Sequence, residues 1–190
     1  MKPIELLEIL RLSEKLKCNT RHCYTSSGRQ ESVAEHSWQI ALMAMLIAPE
    51  FPEADMSKVI RMCLIHDLGE AFTGDIPAFE KTEAHEAAEA KALKAWVESL
   101  PEPFAAEMAE LYAEMEARET VEAKIYKALD GLEALIQHNE SDLATWLPLE
   151  YDLQQVYAFD RVDFSPYLKG LRQEVLQDTL DKIGGTEGAE

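Results

Sequence analysis

The stretch VIRMCLIHDLGEAFTGDIP, residues 59–77, decides how this chain is read. Val59, Ile60, Met62, Cys63, Leu64 and Ile65 would cover most of a helix circumference, the pattern of a central helix buried on nearly every side. Asp55 can cap its start, and Pro49 and Pro52 close the helix before it. The apolar run ends at the pair His66-Asp67, after which Gly69, Gly74 and Pro77 punctuate a turn-rich segment. Groups able to bind a metal therefore stand where a buried helix stops.

Helical periodicity continues on both sides. Upstream, Ser32 and Glu35 form a capping box, and His36 falls on the first turns of a helix running to about residue 48. Residues 18–31 lack periodicity and contain Asn19, Ser26, Ser27 and Gly28, so a long loop is expected there. Residues 3–17 space Ile4, Leu7, Leu10 and Leu16 as an amphipathic first helix. Downstream, residues 82–100 and 104–115 read as helices, as do 120–138, where Ile125, Leu129, Leu132, Leu135 and Ile136 form an inward stripe interrupted by Asp130. Weaker helices, broken by Pro148 and Pro166, fill residues 142–183, and the small polar stretch 184–190 reads as a disordered tail. No alternating strand and no solenoid repeat competes. The expectation is an all-α, single-domain helical bundle over residues 1–183, with three central helices meeting at one polar site.

Composition narrows the function. A net charge of −18, from 36 acidic and 18 basic residues, argues against long nucleic acids and anionic membranes as partners. An anionic small substrate would need a metal ion or a few placed arginines close to it. Cys18, Cys23 and Cys63 form no Cys-x-x-Cys pair and suit reduced thiols in a cytoplasm. The N-terminal MKPIELLEIL carries an acidic residue within its apolar stretch and reads as neither a signal peptide nor a membrane span.

His36, His66, Asp67 and Asp130 share one anomaly: each is a polar, potentially metal-binding residue on a helix that otherwise looks buried. Taken singly, each would read as a hydrogen-bonded core residue. Together, two imidazoles and two carboxylates suit one divalent ion, with manganese, cobalt, iron, nickel and zinc all compatible. Adjacent helical residues diverge by about 100 degrees, so His66 and Asp67 converge on one ion only beside the helix end, where Gly69 makes a terminus plausible.

In this pattern the chain resembles the HD-domain phosphohydrolases. Three longer stretches, ESVAEHSW (31–38), HDLGEAFTGDIP (66–77) and EAKIYKALDGLEALIQ (122–137), resemble the branch containing the bacterial YfbR-type 5'-deoxynucleotidases and the human HD-domain-containing protein 2. The resemblance implies a helical fold, a homodimer, and hydrolysis of a nucleoside 5'-monophosphate, the deoxyribonucleotide above all, by attack of a metal-activated water. It also places Glu70 and Asp75 in the site as carboxylates for proton handling or for orienting water and substrate. Without it, Glu70 reads as a solvated helix-end carboxylate and Asp75 as a turn residue after Gly74.

The loop before His36 contributes Arg21, His22, Tyr24 and Arg29. Arg21 could hold the phosphate bidentately, and Tyr24 stands where relatives tend to carry a tryptophan against the nucleoside. The bland reading for both arginines is pairing with nearby acids. His85 and His138 read as surface or outer groups, and Glu116 and Arg118 as either pocket lining or a solvated loop. Two other functions compete: hydrolysis of another small phosphoester, and a non-catalytic metal- or nucleotide-binding module. A nuclease is disfavoured by the charge.

Overall fold

The computed structural model describes residues 1–77 and 79–187. In chain order it contains α1 (Pro3–Ser13), a hairpin of β1 (Thr20–Tyr24) and β2 (Gln30–Ser32), then α2 (Val33–Leu46), α3 (Met56–Ile65) and the short α4 (Glu70–Thr73). There follow α5 (Glu83–Glu98), α6 (Phe104–Ala117), α7 (Val121–Glu140), α8 (Pro148–Val156), α9 (Phe159–Val162) and α10 (Pro166–Glu187). Helices dominate, as the periodicity implies.

The helix starts follow local chemistry. Ser32 Oγ accepts from the Glu35 amide at 3.3 Å while Glu35 Oε2 accepts from the Ser32 amide at 2.9 Å, so the capping box opens α2 one residue before its first turn. Asp55 accepts from the Lys58 amide at 3.0 Å and caps α3. Pro148 and Pro166 occupy first helical positions, where a missing N–H costs nothing, so they begin α8 and α10 rather than break them.

The main core is the meeting of α2, α3 and α7, where Ile40, Ala44, Val59, Met62, Cys63, Ile125, Leu129 and Leu132 are wholly enclosed. Each large aliphatic side chain removed from water there contributes roughly 1.5–3 kcal/mol, which fixes the three helices whose ends carry the candidate ligands. A second apolar cluster, including Leu16, Val33, Leu68, Val97 and Met108, seats α4 to α6 beside them.

Four expectations change. Residues 18–31 are not a plain loop: β1 pairs antiparallel with β2, with Thr20 opposite Ser32, Tyr24 opposite Gln30 and a bulge between. The extra residues of the bulge destroy the alternation by which a strand is read. Next, α3 is buried on one side only, since Leu64 is 49% exposed. Helix α1 stops at Ser13, continues as a tight turn through Lys17, and has no buried residue of its own; Ile4, Leu7 and Leu10 remain exposed. Finally, α10 runs on through Gly184 and Gly185 to Glu187, because a long docked helix can carry the roughly 1 kcal/mol that each helical glycine costs. The rest of the expected tail, residues 188–190, lies outside the described residues.

Candidate metal centre and active site

Helix α2 brings His36, the end of α3 brings His66 and Asp67, and α7 brings Asp130 to one place. His66 Nδ1 donates to the Cys63 carbonyl at 2.9 Å, and His36 Nδ1 is hydrogen-bonded to Glu133 Oε2. With both Nδ1 positions used as donors, the two Nε2 atoms are left as acceptors, and they face each other at 3.2 Å. Two facing lone pairs repel unless something positive lies between them.

The carboxylates close the cluster. Asp67 Oδ2 lies 2.9 Å from His66 Nε2 and 3.7 Å from His36 Nε2; Asp130 Oδ1 lies 3.3 Å from His36 Nε2 and 3.8 Å from His66 Nε2. Donors held about 2.0–2.2 Å from a tetrahedral or octahedral divalent ion stand roughly 2.9–3.6 Å apart; the separations of 2.9, 3.2 and 3.3 Å meet this, and those of 3.7 and 3.8 Å lie just beyond it. The two imidazoles and Asp67 already form a compact candidate metal group. Its electrostatics call for a cation. Burial works against charge on Asp67, yet His66 and His36 outweigh it and hold the carboxyl down at about 2. Burial and Arg21 oppose a charged His36, yet Glu133 and Asp130 lift it to about 10, so in the absence of an ion a proton on Nε2 supplies the positive charge.

Three members of the cluster, His36, Asp67 and Asp130, form part of the wall of a cavity of about 540 Å³. Glu70, on α4, lines it too, with Asn19 Nδ2 donating to the Glu70 carbonyl at 2.7 Å. Burial, then Asp67, Asp75 and Glu89, push the Glu70 carboxyl up to about 10, and its Oε2 has no hydrogen-bond partner among the described residues. Asp75 follows the left-handed Gly74 into the same cavity and is raised chiefly by burial. A positive φ of 79° explains the glycine at that turn.

Arg21 reaches the cavity, but its Nη1 donates to Glu31 Oε2 at 3.0 Å and to Glu133 Oε2 at 3.1 Å. These partners are buried acids, not the surface acids of the bland reading. Burial alone would lower the guanidinium; Glu133 and Glu31 reverse this and raise it. Arg29 does pair on the surface, with Glu35.

Tyr24 is the predicted site residue that the fold does not bring in. It is absent from the cavity wall, and its carbonyl accepts from Gln137 Nε2 at 2.8 Å. The hairpin bulge lies between Thr20 and Tyr24, so position along the chain is a poor guide to the facing side. His22 lines the cavity instead, edge-on to Phe79 with ring centroids 5.7 Å apart.

Glu133, Glu31, His22, His138 and Glu150 escape a reading by helical stripe. His138 is buried, and its Nε2 and that of His22 lie 3.4 Å and 3.0 Å from the two oxygens of Glu150. A signal existed for two of them: Asp130, Glu133 and His138 recur at helical spacing on α7, and polar residues on a buried face need partners. Arg118 lines the cavity; Glu116 does not.

Comparisons with known proteins agree with this architecture. A family model described as HD domain matches residues 13–171. The human protein named 5'-deoxynucleotidase HDDC2 is 38% identical over 140 residues, covering 71% of this chain and 67% of that protein. A crystal structure described as a predicted metal-dependent phosphohydrolase from Magnetospirillum magnetotacticum MS-1 is 32% identical, with a TM-score of 0.80, over 94% of this chain and 95% of the other. The cyanophage S-2L HD phosphohydrolase, solved with dA and one catalytic Zn2+ ion, shares the fold at 21% identity and a TM-score of 0.58, over 96% and 98% of the two chains.

Proposed function

Because the chain belongs to the HD-domain family, we propose that it is a metal-dependent phosphohydrolase that releases phosphate from nucleoside 5'-monophosphates, deoxyribonucleotides first. The observation that carries this reading is the convergence of His36 Nε2, His66 Nε2, Asp67 and Asp130 at a cavity whose wall includes His36, Asp67, Asp130, Arg21, Glu70 and Asp75. These four side chains would hold one divalent ion.

Such an ion, when bound, supplies a Lewis acid for the phosphoryl oxygen and lowers the pKa of a coordinated water. The protein's own groups do the rest. Arg21 offers guanidinium nitrogens to the phosphate while Glu31 and Glu133 hold its Nη1 in place. Water oxygen attacks phosphorus, the bond from phosphorus to the 5'-oxygen breaks, and that oxygen takes up a proton, while the attacking water leaves one proton on the released phosphate and gives up the other, which restores the donor. Glu70, kept protonated by burial beside Asp67 and Asp75, is placed to give that proton, and Asp75 to orient water or sugar. Glu133 keeps the proton of His36 on Nδ1 and so points Nε2 at the ion.

The same reading includes a cytoplasmic homodimer. Cys18, Cys23 and Cys63 are all free thiols. Trp38 and Met45 share one face of α2, exposed by 59% and 54%, and Ile4 and Leu7 on α1 are exposed by 52% and 49%. Mass in solution checks the dimer.

A phosphate-release panel over ribo- and deoxyribonucleoside 5'-monophosphates, with added manganese or cobalt, tests the function. Release from deoxyribonucleotides with the ion present, and none after chelation, is expected. Absence of release from every monophosphate while metal is demonstrably bound would overturn it.

A further inference from the structure

Five cationic side chains, Arg21, Lys81, Arg118, Lys127 and Arg161, line the cavity of a chain whose net charge is −18. Three are engaged with acids: Arg21 with Glu31 and Glu133, Lys81 with Glu89 at 2.8 Å, and Lys127 with Asp130 at 2.7 Å. Arg161 differs. Its Nη1 is buried without a hydrogen-bond partner among the described residues, and the 3.9 Å to Asp130 Oδ2 is too long for a hydrogen bond. A buried, unfilled guanidinium N–H is unfavourable unless a ligand fills it.

The surrounding chain is built to keep that group there. The guanidinium lies over the Tyr157 ring, 4.5 Å from its centroid. Gly131, directly after Asp130 in α7, gives it room: a Cβ at that position would stand 3.0 Å from Arg161 Nη1 and 3.0 Å from the Ala158 Cβ. Ala158, which leads into α9, adopts a left-handed φ of 64°, a conformation unfavourable for a residue with a side chain. From below, the fully buried Arg172 donates to the Tyr157 and Gln154 carbonyls, each at 2.9 Å, and locks the segment that precedes α9. A helical glycine, a left-handed alanine and an unfilled donor are three local costs. All three serve the position of one arginine beside a candidate metal ligand.

We propose that Arg161 is a second phosphate-binding arginine, its guanidinium donating to a non-bridging oxygen of the phosphoryl group held at the His36, His66, Asp67 and Asp130 cluster. Guanidinium is donor-only, so the ligand that fills it must be an acceptor, and a planar fork beside an ion site suits a phosphoryl oxygen. The position of Tyr157 fixes the plane of the fork, which a lysine ammonium cannot reproduce. This inference rests on the monophosphatase reading above.

Titration calorimetry of the manganese-loaded protein with inorganic phosphate, and separately with a deoxynucleoside, tests it alongside turnover of a deoxynucleoside 5'-monophosphate. Arg161→Ala should weaken phosphate binding at least tenfold and lower kcat/KM about a hundredfold, with deoxynucleoside affinity and manganese content unchanged. Arg161→Lys should recover little of either loss. Wild-type-like phosphate affinity in Arg161→Ala, or a loss restored by excess manganese, would overturn the role, the latter by making Arg161 a support for Asp130. Should the wild-type protein bind phosphate and yet hydrolyse no monophosphate, the enzymatic reading fails, while the phosphate-binding arm still decides on Arg161.

Discussion

Glu133 takes the Nδ1 hydrogen bond of His36 at a point where neither side chain is more than 1% exposed. The same carboxylate oxygen also accepts from Arg21 Nη1, so one buried anion orients a candidate metal ligand and a candidate phosphate ligand together. Burial opposes its charge, but His36 and Arg21 keep Glu133 below the usual carboxylate range.

Glu133→Ala should therefore act on two measurements at once. Metal affinity should fall roughly 10- to 100-fold, because His36 loses the partner that fixes its tautomer. Stability should fall by about 3–5 kcal/mol, the scale seen when one member of a buried ion pair is removed. Metal titration and denaturant unfolding check both, and an unchanged metal affinity would dissociate Glu133 from the site.

His66→Ala and Asp67→Ala should each strip the ion and abolish turnover while the far-ultraviolet circular dichroism stays helical. The core of α2, α3 and α7 is made by other residues, such as Ile40, Met62 and Leu129. Metal content measured on the purified variants decides, and full occupancy would contradict the ligand set.

Tyr112 on α6 donates to the Ile65 carbonyl at 2.6 Å, at the C-terminal end of α3 just before the His66-Asp67 pair. Tyr112→Phe should cost about 1 kcal/mol of stability, the net value of one such hydrogen bond. A modest loss of metal affinity should accompany it. Equal stability of the two proteins would show that this bond contributes nothing.

How much of this was legible beforehand depends on how far the relevant signal reaches. The stripe on α7 and the caps at Ser32 and Asp55 are local, so helices and their starts could be read directly. The gathering of His36, His66, Asp67 and Asp130 followed from four polar residues on apolar helices. Pairing between β1 and β2 was hidden because its bulge breaks the period. Glu31, Glu133 and Glu150 stayed hidden for another reason: an acid on a helix or strand looks solvated until the packing of a distant element removes its water. Tyr24 was misplaced by the same hairpin, while Arg161 owes its position to Gly131, thirty residues away along the chain.

Acid should weaken one specific link between helices. Glu122 Oε1 accepts from the Asp55 amide at 2.8 Å, and this hydrogen bond lowers the carboxyl below its ordinary 4.5. A depressed carboxyl contributes stability that is present above its unfolded value and is lost as pH falls through the folded one. The difference between wild type and Glu122→Gln, small because the group is near solvent, should hence be full at neutral pH and close in acid. A difference that does not vary with pH would remove the charge from the explanation.

The central claim is that one ion on four side chains makes this cavity a phosphomonoesterase. Its most direct test is a titration of metal-stripped protein with manganese while phosphate release from a deoxynucleoside 5'-monophosphate is followed in the same sample. The expected result is release that rises with ion and saturates at one equivalent per chain, with Asp67→Ala silent throughout. Turnover without any ion, or an ion bound at one equivalent with no release from any phosphomonoester, would contradict it.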